Sequence, residues 1–475
     1  MTHCGAFLTP LAALAVILNS DRTASPAQTE LFNGRDLTGW VNVNCSPTTW
    51  TVAKDSDGTA VLQCSGKPTG VLRTDRMFEN FVFEMDWMHE EEPGNAGLFI
   101  WSDALPAQGV PFTRSVEVQI MLTPDAKDSQ GRLLYTGHGD IFPIHGATMK
   151  PDRPHPAQWS RCLPSARTTK GKGQWNHYRV TADRGTLRLE VNGQEVSGGN
   201  AITPRKGYIC LESEGTPIKF RNIRLTELPP TSPALPPDAC AQADIGFHSI
   251  FDATLNGWRG DKGFGSHWTV RDWVLAFDGK GTDLWTRDSW GDFEMMVDWR
   301  WGEEHQGEMD RPVIGPDGRE ARNADGSVQT VRVQERDSGI YLRGNSKSQV
   351  NIWSWPCGSG EVYGYRTDSS MPGSVRAACT PKVNADAAPG QWNRFLIRMQ
   401  GDVLNVWLNG RQVIDQAQLP GVPATGQIGL QSHGSPIEFA NLQVRRLDAP
   451  TSPAAVRDSV ATPPSSRAGD ASSAP

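Results

Sequence analysis

The sequence predicts an all-β protein made of two tandem β-sandwich domains of the jelly-roll type. The first observation behind this prediction is composition, since the 475 residues include 48 Gly, 34 Pro and 17 Trp. Such a chain is typical of short strands joined by many turns, and few of its segments show a sustained helical period. The second is length, which exceeds what one ordinary core accommodates. The third is a series of motifs that occurs twice in the same order.

The repeated motifs divide the chain into two copies of one domain. The matched segments, first copy with second copy, are 31–40 with 250–258, 50–52 with 268–270, 81–87 with 293–299, 95–99 with 337–341, 174–176 with 391–393, 191–193 with 408–410, and 207–220 with 426–439. The Asn-Gly pairs within two of these segments, each flanked by alternating apolar residues, predict tight hairpins. We therefore place one domain at residues 28–228 and the other at 247–448, and each fits a β-sandwich or jelly roll.

The segments outside the two domains have distinct compositions. Residues 1–27 contain an apolar run followed by small residues, which resembles a secretory signal and predicts a periplasmic or secreted protein. The Pro-rich linker at 229–246 is expected to be stiff and extended. Residues 449–475 are rich in Pro, Ser and Ala and are expected to be disordered. No other stretch is long and apolar enough to span a bilayer.

Charge and cysteine usage exclude some classes of partner and site. A net charge of −7 disfavours nucleic acid and anionic membranes as partners. Export permits disulfides, and the cysteine pairs closest in sequence are Cys45 with Cys64 and Cys357 with Cys379. Sequence does not fix the connectivity. No CxxC spacing indicates a zinc site held by thiolates.

Carboxylates lie on the polar faces of two predicted strands. The strand at 114–121 alternates apolar residues with Glu117 and Gln119. An upstream strand alternates apolar residues with Glu84 and Asp86. If the two strands share a sheet, three carboxylates line one surface.

Several of these motifs together resemble the 3-keto-disaccharide hydrolase domain family. They are the Phe-Asn-Gly start of the first copy, Glu117-Val-Gln119, Gln-Trp-Asn, the Asn-Gly hairpin and the closing segment 217–225. The resemblance spans both copies and implies a concanavalin A-like lectin/glucanase sandwich. It also implies a secreted or periplasmic protein acting on carbohydrate, namely oxidised sugars or related glycosides. This fold hosts lectins and hydrolases alike.

The chemistry implied by the resemblance needs a base and two proton donors. A keto group at C3 of a sugar acidifies the hydrogen at C2, so a base can cleave the glycoside by elimination, followed by addition of water. A donor must hold the enolate oxygen, and an acid must protonate the leaving oxygen. Glu117 is our first candidate for the base, with Asp86 or Glu84 beside it. The same residues leave an ordinary glycosidase pair of carboxylates open.

Other side chains of the first copy are candidates for binding substrate or metal. Gln119, Asn95 and Arg114 could donate to sugar hydroxyls or to the enolate, and Trp101 could stack on a pyranose ring. A further group could bind a divalent metal or supply an acid, and it contains His138, Asp140 and His145. No other cofactor is predicted.

The second copy differs from the first at the carboxylate strand. Gln349 and Asn351 replace Glu117 and Gln119, and amides cannot act as bases. The remaining polar candidates of this copy, for binding or for a different catalytic set, are Asp337, Arg343 and Glu361. We favour a catalytic first domain and a second domain that binds glycan or has its own diverged site. A non-catalytic tandem carbohydrate-binding protein and a structural spacer remain as alternatives. An insertion at 302–336 predicts a surface excursion that could form the rim of a pocket.

Overall fold

The structure is a computed structural model that describes residue 1 and residues 27–447. The expected signal and the expected disordered tail lie outside the described residues, apart from residues 1 and 27. The strands of the first copy are β1 (Gln28–Glu30), β2 (Trp40–Val43), β3 (Trp50–Lys54), β4 (Ala60–Cys64), β5 (Gly70–Thr74), β6 (Phe81–His89), β7 (Gly94–Ser102), β8 (Ser115–Leu122), β9 (Ala126–Lys127), β10 (Leu133–Tyr135), β11 (Ile141–Ile144), β12 (Thr148–Pro151), β13 (Asn176–Asp183), β14 (Thr186–Val191), β15 (Gln194–Thr203), β16 (Tyr208–Ser213) and β17 (Ile218–Glu227).

The second copy contains fifteen strands and two short α-helices among the described residues. They are β18 (His248–Ser249), β19 (Trp258–Arg259), β20 (Trp268–Arg271), β21 (Val274–Phe277), β22 (Leu284–Thr286), β23 (Phe293–Trp301), β24 (Glu308–Pro312), β25 (Thr330–Gln334), β26 (Asp337–Leu342), β27 (Asn345–Trp353), α1 (Tyr363–Arg366), α2 (Gly373–Ala378), β28 (Asn393–Gln400), β29 (Val403–Leu408), β30 (Arg411–Gln418), β31 (Gly429–Leu430) and β32 (Ile437–Arg446). The predicted all-β fold with two tandem sandwiches is confirmed.

Each copy is a sandwich of two antiparallel sheets. In the first copy, a nine-stranded sheet has the order β12-β15-β14-β13-β6-β17-β4-β3, with β1 added beside β17. It packs on a six-stranded sheet of order β11-β8-β7-β16-β5-β2. In the second copy, an eight-stranded sheet centred on β32 and β23 faces a five-stranded sheet of order β19-β22-β31-β26-β27.

Alternating side chains build the core between the sheets. Along β13, buried and partly exposed residues alternate without a break, as a strand with one face inward requires. The predicted Asn-Gly hairpins are present, because Asn192 and Gly193 both have positive φ between β14 and β15. The six-stranded sheet contributes Val116, Val118 and Ile120 to the same core.

A third apolar cluster joins the two copies. Val71 and Phe99, on the outer face of the six-stranded sheet, cluster with Met296 of β23, and Leu396 of β28 packs against them. Phe247, just after the linker, belongs to the same cluster. The outer face of the first copy's smaller sheet is therefore partly covered by the second copy.

The linker lies along the first copy. Asn80 Nδ2 donates to the carbonyl of Pro229 at 2.8 Å, and the backbone N–H of Gln242 donates to Asp103 Oδ1 at 2.6 Å. Asp244 pairs with the buried Arg73. These bonds hold the segment between the copies against the first sandwich.

Three further expectations concern covalent links, the insertion and the membrane. All seven cysteines among the described residues are free thiols, so neither expected disulfide is formed. The insertion forms the antiparallel pair of β24 and β25 at the surface. Within residues 27–447, no helix has the length and apolar character needed to cross a bilayer.

We expect Phe83→Ala to lower the free energy of unfolding by about 3–5 kcal/mol, because the substitution leaves a cavity in the core. Phe83 is fully buried on β6, which lies between β13 and β17. Chemical denaturation measures the change. The neighbouring Glu84→Gln is the control and should cost less than about 1 kcal/mol, since its ion pair is partly exposed. An equal loss in both variants would contradict this account of the core.

Candidate functional site

The candidate site lies on the outer face of the six-stranded sheet in the first copy. Glu117 and Gln119 of β8 point to this face, because their neighbours Val118 and Ile120 point into the core. Both side chains are nevertheless buried, and Glu117 is only 6 % exposed. A buried carboxyl on an outer sheet face requires a cover and an electrostatic explanation.

Two more glutamates come from the neighbouring part of the sheet. Glu212 lies on β16 and is 1 % exposed, while Glu214 follows the strand and is half-buried. Asn95 Nδ2 donates to Glu214 Oε2, and Gln119 Nε2 donates to Asn95 Oδ1 at 3.1 Å. We call Glu117, Glu212 and Glu214 the glutamate cluster.

Gly97 on β7 makes room for the glutamate cluster. A Cβ atom at this position would lie 2.7 Å from Glu212 Oε2 and 3.0 Å from Glu117 Oε1. Both carboxyl oxygens therefore lie within 3.0 Å of one point. Any side chain at residue 97 would push the two carboxyls away from the sheet.

Burial raises the pKa of all three carboxyls above the ordinary value. Burial, followed by the charge of Glu214, raises the pKa of Glu117 to about 8. Burial raises the pKa of Glu214 to about 7. The pKa of Glu212 is also raised, first by burial and then by the charges of its two neighbours. Since the three groups interact, the charge on one of them shifts the pKa values of the others.

An arginine borders the cluster on its other side. Arg161 Nη1 pairs with the buried Asp140 at 2.7 Å, and its guanidinium lies 3.6 Å from the centre of the Phe142 ring. Phe142 is the direct cross-strand partner of Glu117. The positive charge of Arg161 favours the ionised form of Glu117, although burial outweighs it in setting the pKa. One cation therefore stands at the edge of a site rich in carboxyls.

Glu84 and Asp86 do not belong to this site. They lie on β6 in the nine-stranded sheet, which is the other layer of the sandwich. There Asp86 accepts hydrogen bonds from His177 at 2.8 Å and Asn222 at 2.7 Å, and Glu84 pairs with Arg179 at 3.1 Å. The two strands do not share a sheet, because β6 pairs with β13 and β17 instead of β8, so Glu84 and Asp86 do not lie beside Glu117 as expected.

Three predicted substrate-binding residues have other partners. Trp101 is fully buried in the core and donates to the carbonyl of Glu79 at 2.7 Å. Arg114 makes a two-pronged pair with Asp103, each bond 2.9 Å. Arg343 in the second copy is buried among backbone carbonyls. The predicted stacking role of Trp101 and the proposed binding role of Arg343 are not supported.

The proposed metal ligands are not assembled. In the part of the chain that the structure describes, no three His, Cys, Asp or Glu side chains are arranged to hold a metal ion. Asp140 is bound by Thr136 and Arg161, and His145 stacks on Phe112. Burial lowers the pKa of His138 to about 4, and this residue lines a separate cleft of about 590 Å³.

The same face of the second copy carries different chemistry. Gln349 Nε2 donates to Gln431 Oε1 at 2.6 Å, so amides stand where the first copy has Glu117 and Glu212. Asn351 is buried beside them. His433 replaces Glu214 and forms an ion pair of 2.7 Å with Asp337. No carboxyl cluster comparable to that of the first copy stands at these five positions.

An aromatic pair opens into a cleft on this second face. The rings of Trp285 and Tyr341 are stacked with their centres 5.2 Å apart. Trp285 and Asp283 line a cleft of about 710 Å³, together with Arg259, Asp261 and Ser432. Polar groups around a partly exposed aromatic ring suit a polar ligand with an apolar face.

Glu361 is a structural residue of the second copy. It is fully buried and pairs with Arg366. Its backbone carbonyl accepts from the N–H of Asn351, as the carbonyl of Asp140 accepts from Gln119 in the first copy. The buried pairs of Asp140 with Arg161 and of Glu361 with Arg366 are therefore equivalent.

Glu212 and Glu214 were not predicted from the sequence, although a signal was present. The closing motif reads Glu212-Ser-Glu214 in the first copy and Gln431-Ser-His433 in the second. At both positions the second copy lacks the carboxyl of the first copy, as it does where Gln349 replaces Glu117. A comparison of the copies at every polar position would have found them. Arg161 has no such signal, because it lies in a loop that differs between the copies.

Comparison with known proteins agrees with the duplication. The sequence profile of the 3-keto-alpha-glucoside-1,2-lyase-like domain matches residues 27–226 and again residues 246–445. Among curated proteins, none matches this sequence.

Solved structures similar to this chain each cover about one copy. One, described as a candidate glycosyl hydrolase from Parabacteroides distasonis, is 20% identical with a TM-score of 0.33, covering 42% of this chain and 94% of that chain. A second structure, of the same description and organism, is 23% identical with a TM-score of 0.29, covering 43% and 84%. The carbohydrate-binding module CBM66 from Bacillus subtilis is 13% identical with a TM-score of 0.27, covering 40% and 96%.

The two profile matches together span most of the chain, and each coincides with one sandwich. The chain belongs to the family of 3-keto-alpha-glucoside-1,2-lyase-like domains and contains two tandem copies of that domain.

Proposed function

We propose that the first copy is an enzyme that cleaves 3-keto-glycosides or related sugars by acid–base elimination. The observation that carries this proposal is the glutamate cluster, in which the buried carboxyls of Glu117 and Glu212 approach each other on an outer sheet face beside the half-buried Glu214. Perturbed carboxyl pKa values in a site of this kind are typical of proton-transfer chemistry. The expected export to the periplasm or medium is part of the same proposal.

The elimination requires one ionised and one protonated carboxyl. The base takes the proton from C2, and the electron pair of that bond forms the C1–C2 double bond as the C1–O bond breaks. The acid protonates the departing oxygen, so an unsaturated keto sugar and an alcohol are released. Water then adds across the double bond to give the free keto sugar. Asn95 Nδ2 donates to Glu214 and Gln119 Nε2 donates to Asn95, and the second hydrogen of each amide can donate to an oxygen of the bound sugar.

The environments of the two outer glutamates suggest their roles. Glu214 is the more exposed and, with a pKa of about 7, is partly ionised at neutral pH. Glu117 has a pKa of about 8 and is mostly protonated there. We therefore assign Glu214 as the base and Glu117 as the acid, which reverses the role expected for Glu117 from the sequence.

We expect Glu117→Gln and Glu214→Gln each to lower kcat by about 10²–10⁴-fold, the range typical of a lost acid or base. The assay is release of a chromogenic leaving group from a 3-keto glycoside. The exposed Glu195→Gln on β15 is the control and should retain full turnover.

The pH profile separates the two roles. Turnover should rise through pH about 7 as Glu214 ionises and fall above pH about 8 as Glu117 loses its proton. Glu214→Gln should lose the acidic limb of its residual activity, and Glu117→Gln the alkaline limb. Full activity in both variants would contradict the proposal.

Stability should fall with rising pH where Glu117 keeps its proton only in the folded state. The pKa is about 8 in the folded protein against the ordinary value of 4.5, so between these values the folded state binds more protons than the unfolded state. The free energy of unfolding then decreases by roughly 1 kcal/mol per pH unit for each retained proton. Urea denaturation at pH 5.5, 7 and 8.5 should show a smaller decrease in Glu117→Gln than in wild type. Parallel curves for the two proteins would exclude a raised pKa.

A second candidate function, carbohydrate binding without catalysis, is favoured for the second copy. Its face carries amides, the Asp337–His433 pair and the Trp285–Tyr341 stack in place of the glutamate cluster. Amide groups can donate to and accept from sugar hydroxyls. The cleft beside Trp285 is open enough for a saccharide.

We expect Trp285→Ala to weaken binding of a soluble oligosaccharide by about fivefold or more, since a buried aromatic contact is typically worth about 1 kcal/mol or more. Isothermal titration calorimetry, in which each of a panel of unmodified glucans is added in excess, measures the affinity. The equivalent position of the first copy is Arg73, which is buried, so the loss should be confined to the second site. Unchanged affinity in Trp285→Ala would place glycan binding elsewhere.

A further inference from the structure

A loop of the first copy reaches across to the second copy. Residues 103–114, here called the flap, connect β7 to β8. Their base is closed by a bond of 2.9 Å from the N–H of Asp103 to the carbonyl of Arg114. The corresponding connection between β26 and β27 is only Arg343-Gly344. The flap is therefore a feature of the first copy alone.

The tip of the flap is bound by buried polar groups of the second copy. The N–H of Gly109 donates to Asp298 Oδ2 at 2.8 Å, and Asn441 Nδ2 donates to the carbonyl of Val110 at 3.0 Å. Gln108 Nε2 donates to the carbonyl of Trp392 at 2.8 Å. We call Asp298, Asn441, Trp392 and Asn409 the socket.

The socket accepts only glycine at the centre of the tip. Gly109 has φ +72°, a region that disfavours other residues. A Cβ atom there would lie 2.5 Å from Cδ1 of Trp392. Asp298 is fully buried and Asn441 is 1 % exposed, so withdrawing the tip would break two buried hydrogen bonds, although Asp298 would keep its bonds from Arg394.

The first copy carries the same polar residues without a flap over them. Asp86, Asn222, Trp175 and Asn192 occupy the positions of the socket, and Asn222 is exposed while donating to Asp86 at 2.7 Å. In both copies the Asn of the Asn-Gly turn accepts from the backbone of the same strand position. The polar framework was thus present in both copies of the domain.

What differs is the apolar surface around that framework. The positions of Met296, Leu396 and Ala440 in the second copy correspond to Glu84, Arg179 and Arg221 in the first. Met296 and Leu396 pack against Phe99 and Val71 of the first copy. The second copy is apolar at the positions that contact the first copy. The equivalent positions of the first copy are charged and face solvent.

The base of the flap lies beside the glutamate cluster. Phe112 packs edge-on against Phe99 with ring centres 5.8 Å apart, and Leu105 belongs to the same buried cluster. Phe99 is the direct cross-strand partner of Glu117. Holding the flap in place therefore keeps water from the strand position next to Glu117.

We propose that the second copy is a positioning element for the first copy's acid–base site, in which Asp298 and Asn441 hold the flap closed beside Glu117. The inference rests on the proposed function for its catalytic consequence, but not for its structural part. It explains why two diverged copies share one chain. The socket residues touch no substrate and act only through the flap.

The test compares Asn441→Ala with Asn222→Ala in the full chain. Both asparagines have a similar positive φ, 50° and 52°, so the two variants carry the same backbone cost. Of these two asparagines, only Asn441 donates a hydrogen bond to the flap. Gly109→Ala is a second disruption, placed on the flap itself in case Asn441→Ala does not fold.

Two readouts do not depend on turnover. Amide hydrogen exchange of residues 104–112 should speed up by about tenfold or more in Asn441→Ala and Gly109→Ala, because a buried hydrogen-bond partner is lost. Carbodiimide labelling of Glu117, followed by mass spectrometry, should rise in the same variants relative to the exposed Glu195. Asn222→Ala should match wild type in both measurements.

The activity readout then tests the catalytic consequence. With a 3-keto glycoside, the flap variants should shift the alkaline limb of the pH profile to lower pH and lower kcat more than they raise KM. If wild type shows no turnover, the proposed function fails, while exchange and labelling still decide whether the socket holds the flap. Unchanged exchange in both flap variants, or faster exchange without increased labelling of Glu117, would overturn the inference.

Discussion

Three glutamate carboxyls meet on one face of the first copy with too little water around them for all to ionise. Gly97 allows Glu117 and Glu212 to approach each other, and Asn95 fixes Glu214 beside them. Removing water from a carboxyl disfavours its charged form, so the cluster retains protons that an exposed carboxyl would lose. The burial of this cluster decides both the chemistry assigned to the first copy and the pH dependence of its stability.

The apolar surface beside the cluster is covered from outside the sheet that carries it. The flap, the linker and the second copy all pack on the same face as Phe99 and Val71. Inter-domain surfaces within a chain are commonly polar and mobile, whereas this one combines an apolar cluster with buried hydrogen bonds to Gly109. The duplication has thus produced one sandwich with a buried carboxyl site and a second with an open aromatic cleft.

The fold was predictable because its signals are local. Alternating strands and Asn-Gly turns depend on neighbouring residues, and the repeated motifs fixed the number of copies. The error over Glu84 and Asp86 arose because sheet membership depends on pairing between distant strands, β6 with β13 and β17. Sequence gave no means to choose those partners. The stacking role predicted for Trp101 is not supported for a related reason, since its amphipathic side chain suits a core as well as a sugar-binding surface.

The site itself was only partly predictable. Glu117 and Gln119 follow from alternation on β8, and Glu212 and Glu214 could have been found by comparing the two copies. The hydrogen bond from Gly109 to Asp298 could not have been predicted. It joins residues 189 positions apart, and the loop that makes it has no counterpart in the second copy.

The most direct test of the central claim is a titration of the glutamate carboxyls by ¹³C NMR, with resonances assigned through Glu117→Gln, Glu212→Gln and Glu214→Gln. The account predicts that the resonances of Glu117 and Glu214 titrate between about pH 6.5 and 8.5, while those of exposed glutamates titrate near the ordinary value. Titration of all three cluster carboxyls below pH about 5 would contradict it, because the cluster would then be an ionised surface with no proton to give.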